Sequence, residues 1–92
     1  MLIRQLEYLV AVERERHFGR AAAACHVSQP ALSEAIRKLE EELGTPVVRR
    51  GRTVEGLTPE GEIVVGWARR IIADRDAMRG DLRMLRGQLT GT

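Results

Sequence analysis

The sequence predicts a mainly α-helical fold: three short helices, a small two-stranded hairpin and one long final helix. Apolar residues recur in steps of three and four along most of the chain. Two Ser/Thr-Pro segments have the pattern of helix starts, and glycines bound a short segment between them. With 92 residues, the chain is expected to form one small unit, residues 1–58, followed by the long helix in residues 59–92.

The first two helices are predicted from an apolar stripe and from alanine content. Helical spacing predicts a first helix over residues 3–16, on the residues Leu2, Leu6, Leu9 and Val10. The run Ala21–Ala24 consists of the best helix formers and predicts a second helix from Arg20 to about His26. Its small side chains allow another helix to approach closely.

The third helix is predicted to begin after Ser28 and to end before Gly44. Ser28 is a good N-cap, and Pro30 is tolerated in the first turn because its missing N–H needs no partner there. Gly44 fits the position just past a helix end. One apolar face is expected to pack on the core: Leu32, Ile36, Leu39 and Leu43. Two helices joined by a short turn in this way form a helix-turn-helix.

A hairpin follows the third helix. Val47–Arg50 is predicted as its first strand, Gly51–Gly56 as a glycine-bounded loop and Leu57 as part of its second strand. Two strands placed after a helix-turn-helix make a wing. The predicted fold is therefore a winged helix-turn-helix with a long helix after it.

The long helix is predicted to run from Pro59 to about Gly87, with Thr58 as its N-cap. It carries a heptad-like seam that Arg75 interrupts: Val64, Ala68, Ile71, Met78, Leu82, Leu85 and Leu89. An apolar stripe on a protruding helix would be exposed unless it packs on a partner. We therefore predict a homodimer through this helix, with Trp67 also in the interface.

Composition restricts the classes of function. Fifteen Lys+Arg against thirteen Asp+Glu give a net charge of +2, which does not by itself establish a nucleic-acid partner. All cations except Lys38 are arginines, which favour bidentate contacts to phosphates and base edges. Aromatic residues make up only 3%, too few to stack single-stranded bases. No apolar run approaches about 20 residues and no signal-peptide core is present, so a cytoplasmic protein without a membrane anchor is expected.

Two features of the sequence indicate double-stranded DNA as the partner. N-terminal residues of the second helix of a helix-turn-helix meet base edges, so Gln29, Ser33 and Arg37 become candidate readers. The densest positive cluster, Arg49, Arg50 and Arg52, lies on the wing, where it can reach phosphates or the minor groove. The alternative is an ordinary capped helix with a solvated face, beside a loop charged for solubility.

Other chemistries find little support. Gly51–Gly56 has the glycine spacing of a phosphate-binding loop, but Leu57 stands where the essential lysine belongs. Cys25 is the only cysteine, and the adjacent His26 points about 100° away from it, so they do not chelate one ion. No catalytic set, metal site or cofactor is predicted. A second hypothesis is a protein-interaction module whose long helix docks a partner; the low net charge and Glu34 favour it.

The sequence resembles the LysR-type transcription regulators. The resemblance begins at Phe18-x-Arg20-Ala21-Ala22 and His26-Val27-Ser28-Gln29-Pro30-Ala31-Leu32-Ser33. It continues through Ile36-Arg37-Lys38-Leu39-Glu40-x-Glu42-Leu43-Gly44, Arg50 and Leu57-Thr58-Pro59-x-Gly61. These segments occur in the right order and spacing and cover essentially the whole chain.

The resemblance implies binding to double-stranded promoter DNA at interrupted inverted repeats, as a dimer or a tetramer. It implies antiparallel pairing of the long helices and a small-molecule effector that binds a C-terminal domain absent here. The last five residues resemble the family's hinge, so we expect a truncated form of a longer protein. With the wing cluster and the helix face, the predicted DNA-contacting residues are Arg20, Ser28, Gln29, Pro30, Ser33, Glu34, Arg37, Arg49, Arg50 and Arg52.

This sequence departs from the family's pattern at four places. Glu34 stands where a basic or neutral residue is usual and would repel phosphate, and Gly19 replaces the usual Ser or Thr cap of the second helix. Val47-Val48 replaces Leu-Phe at the wing root, and Cys25 replaces Leu. These last two changes predict less bulk in the core.

Overall fold

The computed structural model describes residues 1–50 and 54–89, and within them the predicted fold class is confirmed. The elements over these residues are α1 (Ile3–Glu15), α2 (Phe18–Ala24), α3 (Gln29–Leu43), β1 (Val48–Arg50), β2 (Val54–Leu57) and α4 (Pro59–Leu89). The second strand begins inside the segment predicted as loop. Arg52 lies outside the described residues, and so does the side chain of Leu89.

The helix α1 is joined to α3 by one buried polar side chain. Gln5 is only 4% exposed, and its carboxamide oxygen accepts from the backbone N–H of Leu2 at 2.7 Å. Its amide nitrogen donates to the carbonyl of Ala35 at 3.4 Å. The apolar face of α1 packs beside it, with Leu9 and Val12 fully buried. Both polar ends of Gln5 therefore have partners where water is excluded.

The start of α2 differs from its prediction. The N-cap is His17, whose Nδ1 accepts from the backbone N–H of Arg20 at 3.0 Å, so the helix begins two residues before Arg20. A Cβ at Gly19 would lie 2.9 Å from Cε1 of His17. Gly19 thus leaves room for the capping imidazole, and the interpretation of Gly19 as a replaced cap was wrong.

The ends of α3 follow the prediction closely. Oγ of Ser28 accepts from the backbone N–H of Ala31 at 3.2 Å, and Gly44 adopts the left-handed conformation with φ of 73°. Leu32, Ile36 and Leu39 are fully buried. Leu43 shares their face but is 38% exposed, so its assignment to the core was wrong. The core ends before this last turn: the neighbouring chain terminus, whose amine pairs with Glu42, is itself exposed.

The wing root and the start of α4 interlock. The strands β1 and β2 pair antiparallel, with Val48 opposite Leu57 and an irregularity at Arg49/Arg50. Val47 and Val48 are buried in the core. Thr58 donates its hydroxyl to the carbonyl of Pro46 at 2.7 Å and accepts from the N–H of Gly61 at 2.9 Å. The same side chain therefore caps α4 and ties it to the chain entering the wing.

The first half of α4 packs on α1, and the rest extends away from the core. Val65 and Ala68 are buried against the helical core. Arg75 lies 3.3 Å from a carboxylate oxygen of Glu7 on α1, which explains why a cation interrupts the apolar seam. The 31 residues of α4 span about 46 Å, most of the molecule's 55 Å length.

Candidate nucleic-acid interface

The N-terminal end of α3 is open to solvent. Ser28, Gln29 and Pro30 are exposed, and Ser33 one turn further is half-buried. The capping bond uses a lone pair of Ser28 and leaves its O–H free to donate elsewhere. The partial positive charge of a helix N-terminus adds to this attraction for an anion. The amide of Gln29 is thus exposed at this helix end, and the hydroxyl of Ser33 lies one turn further in a half-buried position.

On the next turns of α3, two carboxylates hold one guanidinium; we call Glu34, Arg37 and Glu41 the Arg37 clamp. Nε of Arg37 donates to Oε2 of Glu34 at 2.9 Å, and Nη2 donates to Oε1 at 2.5 Å. Nη1 donates to Oε1 of Glu41. The hydrogen bond from Arg37 lowers the pKa of Glu34, and the hydrogen bond to Glu34 raises the pKa of Arg37. The predicted groove contact Arg37 is therefore held within its own helix by three of its five N–H donors.

A further carboxylate, which the sequence did not identify, anchors the wing. Oε2 of Glu40 accepts from the backbone N–H groups of Val47 at 2.8 Å and Val48 at 3.4 Å. Its Oε1 lies 2.8 Å from Nη1 of Arg50, whose guanidinium stands 5.9 Å from the ring of Phe18. The side chain of Glu40 is only 11% exposed. No residue pattern signals this role, because two of the donors are backbone groups seven and eight positions later.

The other arginines that were predicted to contact DNA differ in whether their side chains have partners within the protein. Arg49 is exposed, and no ion pair joins it to another residue in the part of the chain that the structure describes. Arg20 donates from Nη2 to the carbonyl of Glu15 at 3.1 Å. Arg50 is held at the wing base, while Arg52 lies outside the described residues. Within the described wing, Arg49 is thus the cation most available to a phosphate.

The predicted seam of α4 divides between the core and the surface. Ala68 is 1% exposed against its own core, so it has no surface to offer a partner, and Val64 and Ile71 are half-buried. The exposed members of the seam and Trp67, together with Ile63, which was not predicted, lie within about 100° around the helix. We call them the α4 apolar stripe: Ile63, Trp67, Met78, Leu82 and Leu85. All five are at least 48% exposed, and Arg70 stacks over Trp67 at 5.0 Å.

Other candidate sites are sparse over the described residues. No group of three or more His, Cys, Asp or Glu side chains there could hold a metal ion. Tyr8, Cys25 and His26 line an open groove between α1, α2 and α4. Burial raises the pKa of the Cys25 thiol, which is half-buried. None of the described helices has the combination of length and apolar character needed to cross a bilayer.

A wing beside a helix-turn-helix, with the second helix open at its N-terminal end, is the architecture of winged helix-turn-helix DNA-binding domains. Residues 3–62 match the family described as bacterial regulatory helix-turn-helix protein, lysR family. This match covers more than half of the chain, which therefore belongs to the LysR family and carries its DNA-binding domain.

Individual relatives agree with this assignment. Over 98% of its length the chain is 49% identical to the HTH-type transcriptional regulator BudR of Klebsiella aerogenes, and it spans 66% of that protein. Over 80% of its length it is 50% identical to the dual regulator OxyR of Escherichia coli, of which it spans 24%. The solved DNA-binding domain of BenM, in complex with benA site 1 DNA, superposes with a TM-score of 0.86 at 38% identity. That superposition covers 92% of this chain and 96% of the other.

Proposed function

We propose that this chain binds double-stranded promoter DNA sequence-specifically, as a homodimer, in the regulation of transcription. The observation that carries the proposal is the exposed N-terminal end of α3, where Gln29 is exposed and Ser33, one turn further, is half-buried. In a helix-turn-helix these positions enter the major groove. The similarity to the BenM domain, which was solved in complex with DNA, supports DNA binding by this chain.

Each exposed group has a definite task in this mode. Gln29 can pair bidentately with adenine, and Ser33 can bond to several bases. Ser28 and Pro30 adjoin Gln29 in the chain, and with Arg20 on α2 they are assigned to contacts with the DNA backbone. Arg49 and Arg50 on the wing meet phosphates, which carry no sequence information. Specificity is thereby assigned to α3, and general affinity largely to the wing.

Dimerisation through the α4 apolar stripe completes the proposal. A two-fold pair of long helices would set two α3 helices against two half-sites separated by helical turns of DNA. The stripe is too apolar to remain in water without cost. The chain would act by binding rather than by catalysis, in the cytoplasm, where bacterial promoter DNA lies.

Selection of bound duplexes from a randomised pool, followed by sequencing, tests the proposal. We expect an inverted repeat to be enriched, with affinity that falls steeply as salt rises. Gln29→Ala should lower discrimination at one base pair of each half-site by about 1–3 kcal/mol. Gln88→Ala is the matched control, because Gln88 is an exposed glutamine in the last turn of α4. This substitution should leave the discrimination between base pairs unchanged.

The competing role of a protein-interaction module makes the opposite prediction. It expects no mobility shift with random duplex even at low salt and no enrichment of any sequence. If Gln29→Ala and the unaltered chain discriminate equally between base pairs, Gln29 does not contact a base, although the proposal of DNA binding still stands.

A further inference from the structure

The Arg37 clamp occupies part of the hydrogen-bonding capacity of an exposed cation on α3. A guanidinium has five N–H donors in all. Three of those of Arg37 are used by Glu34 and Glu41. Two donors remain, one on each Nη atom. Guanine presents two acceptors, O6 and N7, in the major groove, so the number of remaining donors equals the number of acceptors on a guanine edge.

The charge of the clamp works against phosphate contact. Glu34 and Glu41 outweigh the single positive charge of Arg37, and only with neighbouring Lys38 does this face of α3 become neutral. An isolated arginine on a helix facing DNA is drawn to the phosphates, which are the strongest acceptors present. Between two carboxylates, Arg37 has much less electrostatic reason to move there.

The geometry of the Arg37 clamp favours its remaining formed, although its side chains are exposed to solvent. Single surface ion pairs contribute little, but bidentate arginine–carboxylate pairs and networks are the exception. Arg37 has both: a bidentate bond to Glu34 and a second carboxylate one turn further along the helix. Arg37 and Glu34 also perturb each other's pKa in the directions that keep both charged.

We propose that Glu34 is a specificity-determining positioning residue: with Glu41 it withholds Arg37 from phosphates and presents the remaining guanidinium donors to a guanine. The proposal rests on the DNA-binding function proposed above. Glu34, which was expected from the sequence to repel phosphate, would then contribute to base recognition. Arg37 is the residue that touches the base, and Glu34 acts through it.

The test compares Glu34→Gln, Arg37→Ala and the double variant in selection from a randomised duplex pool. Glu34→Gln removes the charge and one acceptor of the bidentate pair. Glu42→Gln is the matched control, because it removes the same charge from α3, and within the described residues Glu42 pairs with the chain's amino terminus and not with Arg37. All of these side chains are exposed, so the fold should persist, and circular dichroism checks that it does.

We expect Arg37→Ala to abolish a guanine preference at one position of each half-site. Glu34→Gln should reduce that preference by about tenfold or more. It should also tighten binding to random duplex and steepen the salt dependence by about one released ion, because the freed Arg37 reaches a phosphate. Glu42→Gln should leave the guanine preference intact. In the Arg37→Ala background, Glu34→Gln should alter no base preference.

Three results would overturn the proposal while leaving sequence-specific binding standing. The guanine preference could survive Glu34→Gln, which would make the clamp irrelevant to reading. Glu34→Gln could change a base preference equally with and without Arg37, which would make Glu34 itself the reader. Arg37→Ala could leave every position unchanged. If the unaltered chain enriches no sequence at all, the proposed function and this inference fall together.

Discussion

At the scale of single residues, Gly61 shows how little space the start of α4 has. A Cβ built at this position would lie 2.0 Å from the carbonyl oxygen of Val47, far inside van der Waals contact. That carbonyl cannot easily withdraw, because it accepts from the backbone N–H of Thr58 at 3.1 Å. The glycine is therefore required by the close approach of the helix to the wing root, not by its own backbone conformation.

Gly61→Ala should lower the free energy of unfolding by about 1–3 kcal/mol, because overpacking outweighs the better helix propensity of alanine. Gly66, on the exposed face of the same helix, has no neighbouring atom within 4 Å of its Cβ position. Gly66→Ala should instead raise the free energy of unfolding by about 0.5–1 kcal/mol. Urea denaturation of both variants measures the difference, and stabilisation by both would show that α4 can move off the wing root.

The half-buried thiol of Cys25 provides a pH-dependent prediction. Desolvation raises its pKa, so at a given pH less thiolate is present than in the unfolded chain. Since the thiolate is the nucleophile, alkylation by iodoacetamide should be slower in the folded protein, and the rate should rise at higher pH than in urea. Coincident pH profiles for the folded and unfolded chain would contradict this environment for Cys25.

At the scale of elements, the sequence predicted helix boundaries wherever the signals are local. Ser28 and Gly44 delimit α3 through backbone bonds within a few residues, and such bonds have recognisable residue preferences. The start of α2 was missed because its cap is an imidazole nitrogen of His17, which the usual cap preferences do not include. Local patterns thus located most helix ends, but not those with an unusual capping atom.

Tertiary contacts were harder to predict from the sequence than helix boundaries. Periodicity grouped Ala68 with Leu82 on one seam, yet the first packs on its own chain and the second is 48% exposed. Spacing reports which residues share a face of α4 but not where α1 stops covering that face. Glu34 and Arg37 were predicted to contact DNA, but the hydrogen bonds that join Arg37 to Glu34 and Glu41 were not predicted, since side-chain partners are not specified by spacing alone.

The wing is an element whose orientation depends on one carboxylate. Glu40→Ala would leave the backbone N–H groups of Val47 and Val48 without their acceptor and would release Arg50. Because Glu40 is almost covered, we expect the free energy of unfolding to fall by about 1–3 kcal/mol. Glu42→Ala, which removes an exposed carboxylate from the same helix, should change it by less than about 0.5 kcal/mol.

Hydrogen exchange distinguishes this anchoring role from a general loss of stability. In Glu40→Ala, the amide of Val47 should exchange faster than the decrease in global stability accounts for, because its own hydrogen bond is gone. Proportionate acceleration of all core amides would instead mean that Glu40 stabilises the fold without orienting the wing.

At the scale of the whole molecule, the division of α4 separates folding from association. Its first half belongs to the core, through Val65 and Ala68, and completes the domain. Its second half projects beyond the core and presents Met78, Leu82 and Leu85 to solvent. Substitutions in the second half should therefore alter assembly without unfolding the domain, which makes the proposed dimer testable by itself.

Leu82→Glu should convert the proposed dimer into monomers. Burying a leucine contributes about 1.5–3 kcal/mol, and a two-fold interface loses it from both copies. A loss of about 3 kcal/mol weakens the dimer by roughly 100-fold. Met84→Glu is the control: Met84 is 69% exposed but lies about 200° around the helix from Leu82, off the α4 apolar stripe.

Sedimentation velocity over a range of concentrations should show monomers for Leu82→Glu and dimers for both Met84→Glu and the unaltered chain. Binding to a selected inverted repeat should weaken for Leu82→Glu, whereas binding to a single half-site should not, since each α3 helix still reads alone. Equal assembly of Leu82→Glu and Met84→Glu would place the dimer interface away from the stripe. If binding to the half-site weakens as well, the distal part of α4 stabilises the winged helix-turn-helix itself. Folding and association would then not be separate.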